Sequence, residues 1–291
     1  MASVEERVPL ARFTTIGTGG PARWFARPET IEELQAALRW ADENQAPVEV
    51  VGLGSNLLAH DDGVEALMLK LGGDLAAATI DGDVLVAGGG AANAVSLHRA
   101  RAAGLGGFEF ASAIPGTAGG GVRMNAGAYG REWRDVMIDA VVVDARGVRT
   151  LRPDELELAY RHSNLARGEV VAQVRFRLTR TTPQVVKARA AELLAQRKAT
   201  QPTNKRTFGS VFKNPGGDHP GAGRMIEDCG LKGHRIGGAL ISPRHANFIE
   251  NAGGATSADC LALMAEARRR VRERFGVELE HEVQFVGALE L

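Results

Sequence analysis

The stretch AIPGTAGGGVRMNAGAYG (residues 113–130) contains six glycines in eighteen residues, about one in three against a usual share near 7%. Glycine has no Cβ, so backbone N–H groups can crowd around a ligand, and positive φ angles cost little. Such amide-lined concavities suit anions, above all phosphate. A flexible connector is the alternative, but a connector has no need of Pro115, Met124, Asn125 and Tyr129. The stretch therefore predicts a ligand loop.

A second glycine loop, Gly52-Leu53-Gly54-Ser55-Asn56, directly follows a short strand expected over residues 48–51. It offers several amides, the Ser55 hydroxyl and the Asn56 side chain to an anion. A Rossmann fingerprint fails here because Leu57 replaces the third glycine and no helix clearly follows. Two amide-rich loops suit a dinucleotide whose diphosphate lies between subdomains. Composition alone does not choose between FAD and NAD.

The segment VLVAGGG (84–90) matches the pattern of a Rossmann loop more closely than the 52–56 loop does. A strand leads into glycines and then a helix, with Glu109 about twenty residues further on, as a ribose-binding acid would be. However, Asn93 stands in the place of the third glycine, and no repeating βαβ pattern follows. We predict that these glycines are not a nucleotide site.

The overall composition excludes several classes of protein. Lys plus Arg and Asp plus Glu both number 35 in 291 residues, so the formal charge is zero, which argues against general affinity for nucleic acid or acidic membranes. Cys229 and Cys260 form neither a disulfide framework nor a metal-ligand spacing. The first residues lack the apolar core of a signal peptide, and no run approaches membrane-spanning length. We expect a cytoplasmic protein with no metal site. The sequence does not indicate its oligomeric state.

Hydrophobic periodicity predicts a mixed α and β chain with two or three domains. The longest helix should begin at Thr256, whose capping-box partner is Asp259, and its arginines should form a solvated face rather than a nucleic-acid site. The sequence pattern changes at Thr182-Pro183, and we place the main domain boundary there. The other elements expected are helices over 30–44, 91–103 and 185–199, strands over 67–71, 84–87 and 170–178, and a hairpin over 136–143 and 148–151.

Six segments, which include the two glycine loops, together and in order resemble the UDP-N-acetylenolpyruvoylglucosamine reductase (MurB) family of peptidoglycan synthesis. They span nearly the whole chain and are specific as a set. The matching segments are VGLGSNLL (51–58), AIPGTAGGGVRMNAGAYG (113–130), AYRHSNL (159–165), TFGSVFKNP (207–215), AGRMIEDCGLKGHRIGGALISPRHANFI (222–249) and LEHEVQFVG (279–287). The compact length is similar to the class that lacks the extra substrate-covering tyrosine loop.

The resemblance implies an α+β fold with two domains. Residues 1–181 would form the two-subdomain FAD-binding domain of the vanillyl-alcohol-oxidase (PCMH) type, split near 72–82, and residues 182–291 a C-terminal α+β substrate-binding domain. FAD would be noncovalent. The implied cofactor-binding residues are Gly52, Gly54, Ser55, Asn56, Leu57, Pro115, Gly116, Thr117, Gly119, Gly120, Asn125, Ala126, Gly127 and Tyr129.

The resemblance also implies a reaction and three catalytic residues. NADPH would supply a hydride, by way of FAD, to C3 of the enolpyruvyl group of a UDP-sugar, and C2 would receive a proton, which yields UDP-N-acetylmuramate. Ser210 would donate that proton, Arg161 would hold the substrate carboxylate and the forming enolate, and Glu282 would share a proton with the enol oxygen.

Substrate contacts follow from the same motifs, with two departures from the family pattern. The implied substrate-binding residues are Tyr160, Lys213, Asn214 and Lys232. His234 stands where the family often has tyrosine, and Gln284 stands where some members have arginine. Both could alter contacts to the diphosphate. Another histidine, His245, has no metal-ligand partner at suitable spacing and is interpreted as structural.

Two other functions remain as alternatives. One is an oxidase with the same kind of FAD domain and another substrate, in which Ser210 and Glu282 would have no proton to deliver. The other is a non-catalytic module that binds a nucleotide-sugar or flavin. All three matched catalytic residues are present, which argues against the second alternative.

Overall fold

The computed structural model describes residues 3–291, in which helices and strands are interspersed along the chain. The helices are α1 (Ile31–Glu43), α2 (Asn93–Ala102), α3 (Ala118–Arg123), α4 (Pro183–Thr200), α5 (Ala222–Asp228) and α6 (Ser257–Phe275). The strands are β1 (Val4–Pro9), β2 (Pro21–Ala26), β3 (Val48–Val50), β4 (Leu57–Ala59), β5 (Val64–Leu69), β6 (Ala78–Asp81), β7 (Val84–Gly88), β8 (Leu105–Gly106), β9 (Gly127–Ala128), β10 (Arg131–Glu132), β11 (Met137–Val143), β12 (Val148–Leu151), β13 (Val170–Arg177), β14 (Thr179–Arg180), β15 (Thr207–Ser210), β16 (Arg235–Ile236), β17 (Ala239–Ile241), β18 (Phe248–Asn251) and β19 (Gln284–Val286).

The described chain divides into two compact units that are each built from several chain segments. The first unit comprises residues 3–6 with Trp24–Leu53 and Ala66–Arg197, and the second comprises Arg7–Arg23, Gly54–Glu65 and Lys198–Leu291. The chain passes from one unit to the other within β1, β2, β5 and α4, and within the 52–56 loop. A single cut near residue 182 therefore does not describe this division. The functional domain boundaries expected from the sequence stay a prediction.

The first unit contains a five-stranded antiparallel sheet in the order β12-β11-β13-β7-β6. Its central strand β13 has the expected alternation, with Val174 and Phe176 buried and Arg175 and Arg177 exposed. Phe176 packs against Trp133 and Phe108 in one aromatic cluster, with ring centroids 4.9–6.0 Å apart. Burial of these large rings is a major source of the unit's stability.

Helix α1 covers a second core in the first unit. Thr30 caps the helix, because its side chain accepts a hydrogen bond from the Glu33 amide. The buried stripe of Leu34, Leu38 and Ala41 then packs with residues of β5 and β13. Both the helix and its cap agree with the sequence prediction.

The second unit joins the four-stranded sheet β15-β18-β17-β16 to helix α6. The predicted capping box of α6 is present, with Thr256 and Asp259 bonding each other's amides. Gly276 ends the helix in the left-handed conformation, with φ 68°. The exposed arginines pair with carboxylates, among them Arg269 with Glu266 at 2.7 Å. The solvated basic face predicted from the sequence is confirmed.

The structure confirms that Gly88–Gly90 is not a Rossmann loop. Strand β7 is antiparallel to both its neighbours, whereas a Rossmann unit needs parallel strands. The glycines permit close packing instead, since a Cβ on Gly89 would lie 1.8 Å from the Val171 carbonyl oxygen. Within residues 3–291, no helix is long and apolar enough to cross a membrane, and no cluster of potential metal ligands occurs.

Candidate functional site

The beginning of the 113–130 segment is fixed to the start of α2. The Asn93 amide donates to the Gly116 carbonyl at 3.0 Å, and its side-chain amide donates to the Ile114 carbonyl at 2.9 Å. The Ala118 amide donates to Ala91 at 2.9 Å. These bonds define the turn Pro115–Gly116–Thr117 from which α3 begins. Thr117 caps this helix by accepting a hydrogen bond from the Gly120 amide.

The glycines of this segment have two different roles. A Cβ on Gly121 would lie 2.3 Å from the Trp133 ring, one on Gly119 2.9 Å from the Gly89 carbonyl oxygen, and one on Gly127 2.7 Å from the Arg131 carbonyl oxygen. These three permit close packing. Gly120 is exposed, and the only neighbour near its Cβ position is the Thr117 hydroxyl at 3.5 Å. Gly120 therefore leaves space beside the backbone that a side chain would fill.

The first half of the 52–56 loop lies against this turn. A Cβ on Gly52 would lie 2.8 Å from the Thr117 hydroxyl oxygen, so glycine brings the two loops into contact. The Lys70 ammonium donates to the Gly52 carbonyl at 2.8 Å, and burial together with the charge of Arg27 lowers its pKa. Sequence reasoning missed Lys70, because it follows strand β5 without a recognisable motif. Its charge lies beside the loop where a diphosphate is predicted.

The second half of the loop belongs to the second unit. Gly54 has φ 66°, and a Cβ there would lie 1.8 Å from the Phe13 carbonyl oxygen, so only glycine fits. Asn56 pairs with the last segment of the chain: its side chain donates to the Glu282 carbonyl at 3.1 Å, and its carbonyl accepts from the Gln284 amide at 2.9 Å. Leu57, next to it, begins β4, which pairs with β19 in parallel.

Backbone pairing brings Ser210 and Glu282 into neighbouring segments. The Glu282 amide donates to the Val211 carbonyl at 2.8 Å, and the Lys213 amide donates to the Glu280 carbonyl at 2.9 Å. Ser210 is therefore the residue before Val211, the backbone hydrogen-bond partner of Glu282. Gly209 has φ 84°, and a Cβ on it would lie 3.2 Å from the Ser55 carbonyl oxygen. Ser55, Ser210 and Glu282, predicted from three motifs, are thus brought together within the second unit.

Asn247 is a residue of this region that the sequence did not single out. It is buried, and its side chain accepts from the Phe212 amide at 2.9 Å and donates to the Phe212 carbonyl at 2.8 Å. The Asn247 carbonyl also accepts from the Val211 amide at 2.9 Å. These three bonds hold the backbone immediately after Ser210. Position within the matching segment 222–249 was the only signal that could have found Asn247.

The predicted substrate residues of the second unit are in ionic or polar pairs. Lys213 meets the Glu280 carboxylate at 2.5 Å, and Lys232 meets Glu227 at 2.9 Å. Asn214 accepts from the Ala222 amide at 3.0 Å at the start of α5. Because both lysine pairs are exposed on the carboxylate side, they contribute little to stability. The ammonium groups can exchange these carboxylates for an anionic ligand.

His245 has a structural environment, as its sequence context suggested. It packs edge-on against Phe248 with centroids 5.0 Å apart, and a Cβ on Gly223 would lie 2.8 Å from its ring. Its Nδ1 accepts from the Asn247 amide at 3.2 Å. Burial, followed by the charge of Lys232, lowers the pKa of His245. The neutral ring is therefore the favoured form.

Arg161, Tyr160 and Tyr129 lie in the first unit. Arg161 and Tyr129 both have φ 54°, a left-handed conformation that costs about 1–3 kcal/mol for residues other than glycine and is concentrated at functional sites. The Arg161 guanidinium donates to the Gly127 carbonyl at 3.2 Å and stacks on Tyr160 at 5.0 Å. The Tyr129 hydroxyl donates to the Leu193 carbonyl at 3.1 Å. Arg161, which the sequence predicts to bind the substrate, is thus bonded to the glycine segment at Gly127, next to Ala126.

The Asn125 side chain is bonded to protein groups. Asn125 is buried with φ 38°. Its side-chain oxygen accepts from the Arg134 backbone amide, and its side-chain nitrogen donates to the Glu132 carboxylate and to the Ala159 carbonyl. The whole side chain is therefore occupied by protein partners. The contact of Asn125 with the cofactor stays a prediction.

Comparison with known proteins gives matches over almost the whole chain. Residues 201–286 match a family described as UDP-N-acetylenolpyruvoylglucosamine reductase, C-terminal domain, and residues 22–151 match a family described as FAD binding domain. UDP-N-acetylenolpyruvoylglucosamine reductase 2 of Symbiobacterium thermophilum is 44% identical over 281 residues, which cover 96% of this chain and 91% of that protein. The Novosphingobium aromaticivorans reductase is 42% identical over 96% and 94% of the two chains.

The chain belongs to the UDP-N-acetylenolpyruvoylglucosamine reductase (MurB) family. The crystal structure of the Thermus caldophilus reductase agrees with this, with a TM-score of 0.85 at 38% identity over 98% of this chain and 100% of that one. The sequence-based prediction of the family and of its fold, an FAD-binding domain of the PCMH type followed by a MurB C-terminal domain, is confirmed. The roles of individual residues stay predictions.

Proposed function

We propose that this chain reduces the enolpyruvyl group of UDP-N-acetylglucosamine enolpyruvate to UDP-N-acetylmuramate, with NADPH as hydride source and noncovalent FAD as cofactor. The main support is identity above 40% along almost the full length of relatives named for this reductase activity. Both cysteines are free thiols, which fits a reducing, cytoplasmic location. An oxidase with another substrate has no comparable support.

The residues of the two glycine loops fit FAD. The diphosphate would lie against the exposed backbone at Gly120, beside the Lys70 ammonium, and Tyr129 has the aromatic surface for a ring contact. When bound, FAD carries the hydride from NADPH to the substrate. The protein's contribution is to bind, to orient and to supply a proton.

Arg161 is the proposed ligand of the substrate carboxylate. A guanidinium binds a planar carboxylate through two parallel hydrogen bonds, and its charge stabilises the enolate that forms when hydride is added. Because the Arg161 side chain is bonded to Gly127 in the glycine segment, it is held at a defined position relative to that segment. Lys213, Lys232, Asn214 and Tyr160 would bind the remaining polar groups of the UDP-sugar.

Ser210 is the proposed proton donor to C2, and Glu282 is its neighbour on the paired segment. A hydroxyl is a weak acid, so transfer requires stabilisation of the alkoxide that remains. Lys213, three residues further along the same segment, is the cationic side chain nearest to Ser210 in the sequence. Glu282 would share its proton with the enol oxygen, which requires a carboxyl group that remains protonated in the complex.

The proposal is tested by product analysis. The purified chain is incubated with NADPH and UDP-N-acetylglucosamine enolpyruvate without oxygen, and both NADPH oxidation and the UDP-sugars are measured. We expect one UDP-N-acetylmuramate per NADPH. NADPH oxidation that occurs only in air, with no change in the UDP-sugar, would show an oxidase instead.

A further inference from the structure

Arg123, the last residue of α3, binds three backbone carbonyls of one irregular segment. Its guanidinium donates to Leu165 and Ala166 at 3.2 Å and to Glu169 at 3.1 Å. No strand forms between Tyr160 and Glu169, and the Ala166 carbonyl also accepts from the Glu169 amide at 3.3 Å. A guanidinium has five N–H donors in a fixed plane, whereas a lysine ammonium is a point charge that cannot span three such acceptors.

The same segment is bonded to the glycine segment at three further places. The Ser163 hydroxyl donates to the Arg123 carbonyl at 2.8 Å, the Asn125 side chain donates to the Ala159 carbonyl at 3.0 Å, and Arg161 donates to Gly127 at 3.2 Å. Residues 123–127 are therefore bonded to the 159–169 segment at several points. Arg123 provides the largest number of side-chain bonds in this contact.

The backbone of Arg161 requires such support. Both Arg161 and Asn125 have left-handed φ angles, 54° and 38°, and such residues keep this conformation only when the surrounding structure enforces it. The residues that follow Arg161 form no strand. Arg123 binds three of their carbonyls, and the other bonds of this stretch include the Asn164 amide to the Leu156 carbonyl and the Ala166 amide to the Glu169 carboxylate. Removal of the Arg123 guanidinium would take away three of the bonds that hold residues 165–169 and would loosen the backbone that follows Arg161.

We propose that Arg123 is a positioning residue that holds the substrate arginine Arg161 in register with the flavin-binding segment. The inference rests on the proposed function, in which Arg161 binds the substrate carboxylate. Arg123 itself contacts only protein groups among the bonds described. Its site is enclosed: burial lowers its pKa, opposed by the charges of Glu49 and Glu169.

The test uses Arg123→Met and Arg123→Lys, with Arg149→Met as the matched control. Arg149 binds the Glu169 carboxylate on the outer side of the same segment and is half-exposed. In anaerobic rapid mixing, we expect both Arg123 variants to be reduced by NADPH within about twofold of wild type. Reoxidation by the enolpyruvyl UDP-sugar should slow about a hundredfold, since displacement of a positioning group by about 1 Å has that effect. Arg149→Met should match wild type in both steps.

Two further measurements separate positioning from general stability. If Arg123 acts through Arg161, then Arg123→Met added to Arg161→Lys should slow reoxidation less than about threefold further. Hydrogen exchange of the 159–169 peptide should accelerate in Arg123→Met and not in Arg149→Met. The proposal would be overturned if the two losses multiplied fully in the double variant. It would also be overturned if Arg123→Met slowed both half-reactions equally, or if its hydrogen exchange at 159–169 was unchanged. If wild type itself is not reoxidised, the proposed function fails, and the exchange result alone decides whether Arg123 holds the segment.

Discussion

Ser210 and Glu282 come from distant parts of the chain, and the hydrogen bonds of residues 211–213 with 280–282 bring them together. The identities of these two residues were predictable from their motifs, because each motif has a characteristic neighbourhood in sequence. Their proximity was not predictable from the residues alone. It depends on Asn247, whose amide bonds fix the Phe212 backbone and which no motif chemistry singled out.

Replacement of Ser210 by alanine should separate the two half-reactions. The hydroxyl is proposed to act only in proton delivery to C2, so reduction by NADPH should stay within about twofold of wild type. Formation of UDP-N-acetylmuramate should fall by about 10²–10⁴-fold, the usual contribution of a positioned proton donor. Rapid mixing of each half-reaction provides the measurement, with Ser112→Ala as a control outside the predicted catalytic set. Equal loss of both steps in Ser210→Ala would remove its assigned role.

At the scale of secondary-structure elements, α3 depends on a glycine for its packing. A Cβ on Gly121 would lie 2.3 Å from the buried Trp133 ring, which is enclosed by aromatic neighbours. Gly121→Ala should therefore reduce the free energy of unfolding by about 1–3 kcal/mol through overpacking. Denaturant titration measures this. Gly147→Ala is the control, since nothing lies within 4 Å of its Cβ position. A Gly121→Ala protein as stable as the control would contradict the packing role.

The loop that carries His245 should make stability depend on pH. Burial disfavours the charged ring, so the folded-state pKa lies below the ordinary value of 6.5. Protons therefore bind more readily to the unfolded chain. The contribution of His245 to the free energy of unfolding is fully present above about pH 6.5 and is lost as the pH falls through the folded-state pKa.

Denaturant titrations from pH 7.5 down to about pH 5 test this for His245→Gln, with His219→Gln as the exposed control. His245→Gln should lose less stability on acidification than wild type, whereas His219→Gln should follow wild type. The Lys232 and Glu227 charges face the ring in all three proteins. An identical pH dependence in wild type and His245→Gln would contradict the assignment.

Several elements could be predicted from local sequence, and the reasons are physical. Helix α6 carries a complete capping box and a C-terminal glycine, and β13 carries a strict alternation, so each encodes its own ends or its buried face. Strands β1 and β2 were missed, because their short segments have no clear alternation. The role of Gly88–Gly90 became clear only from the antiparallel neighbours of β7, which are remote in sequence.

At the scale of the whole molecule, the division into units interleaves along the chain. Arg7–Arg23 and Gly54–Glu65 belong to the second unit although both precede most of the first. Hydrophobic periodicity carries no information about such interleaving, so a single boundary near residue 182 was the simplest prediction. Arg161 and the 113–130 segment belong to the first unit, and Ser210 and Glu282 belong to the second.

The central claim is that this chain transfers reducing equivalents from NADPH to an enolpyruvyl UDP-sugar. The most direct test reduces the purified flavoprotein with one equivalent of NADPH without oxygen and then adds UDP-N-acetylglucosamine enolpyruvate, while flavin absorbance is recorded. The account predicts full return of the oxidised flavin spectrum together with an equal amount of UDP-N-acetylmuramate. A flavin that stays reduced until air is admitted would contradict it.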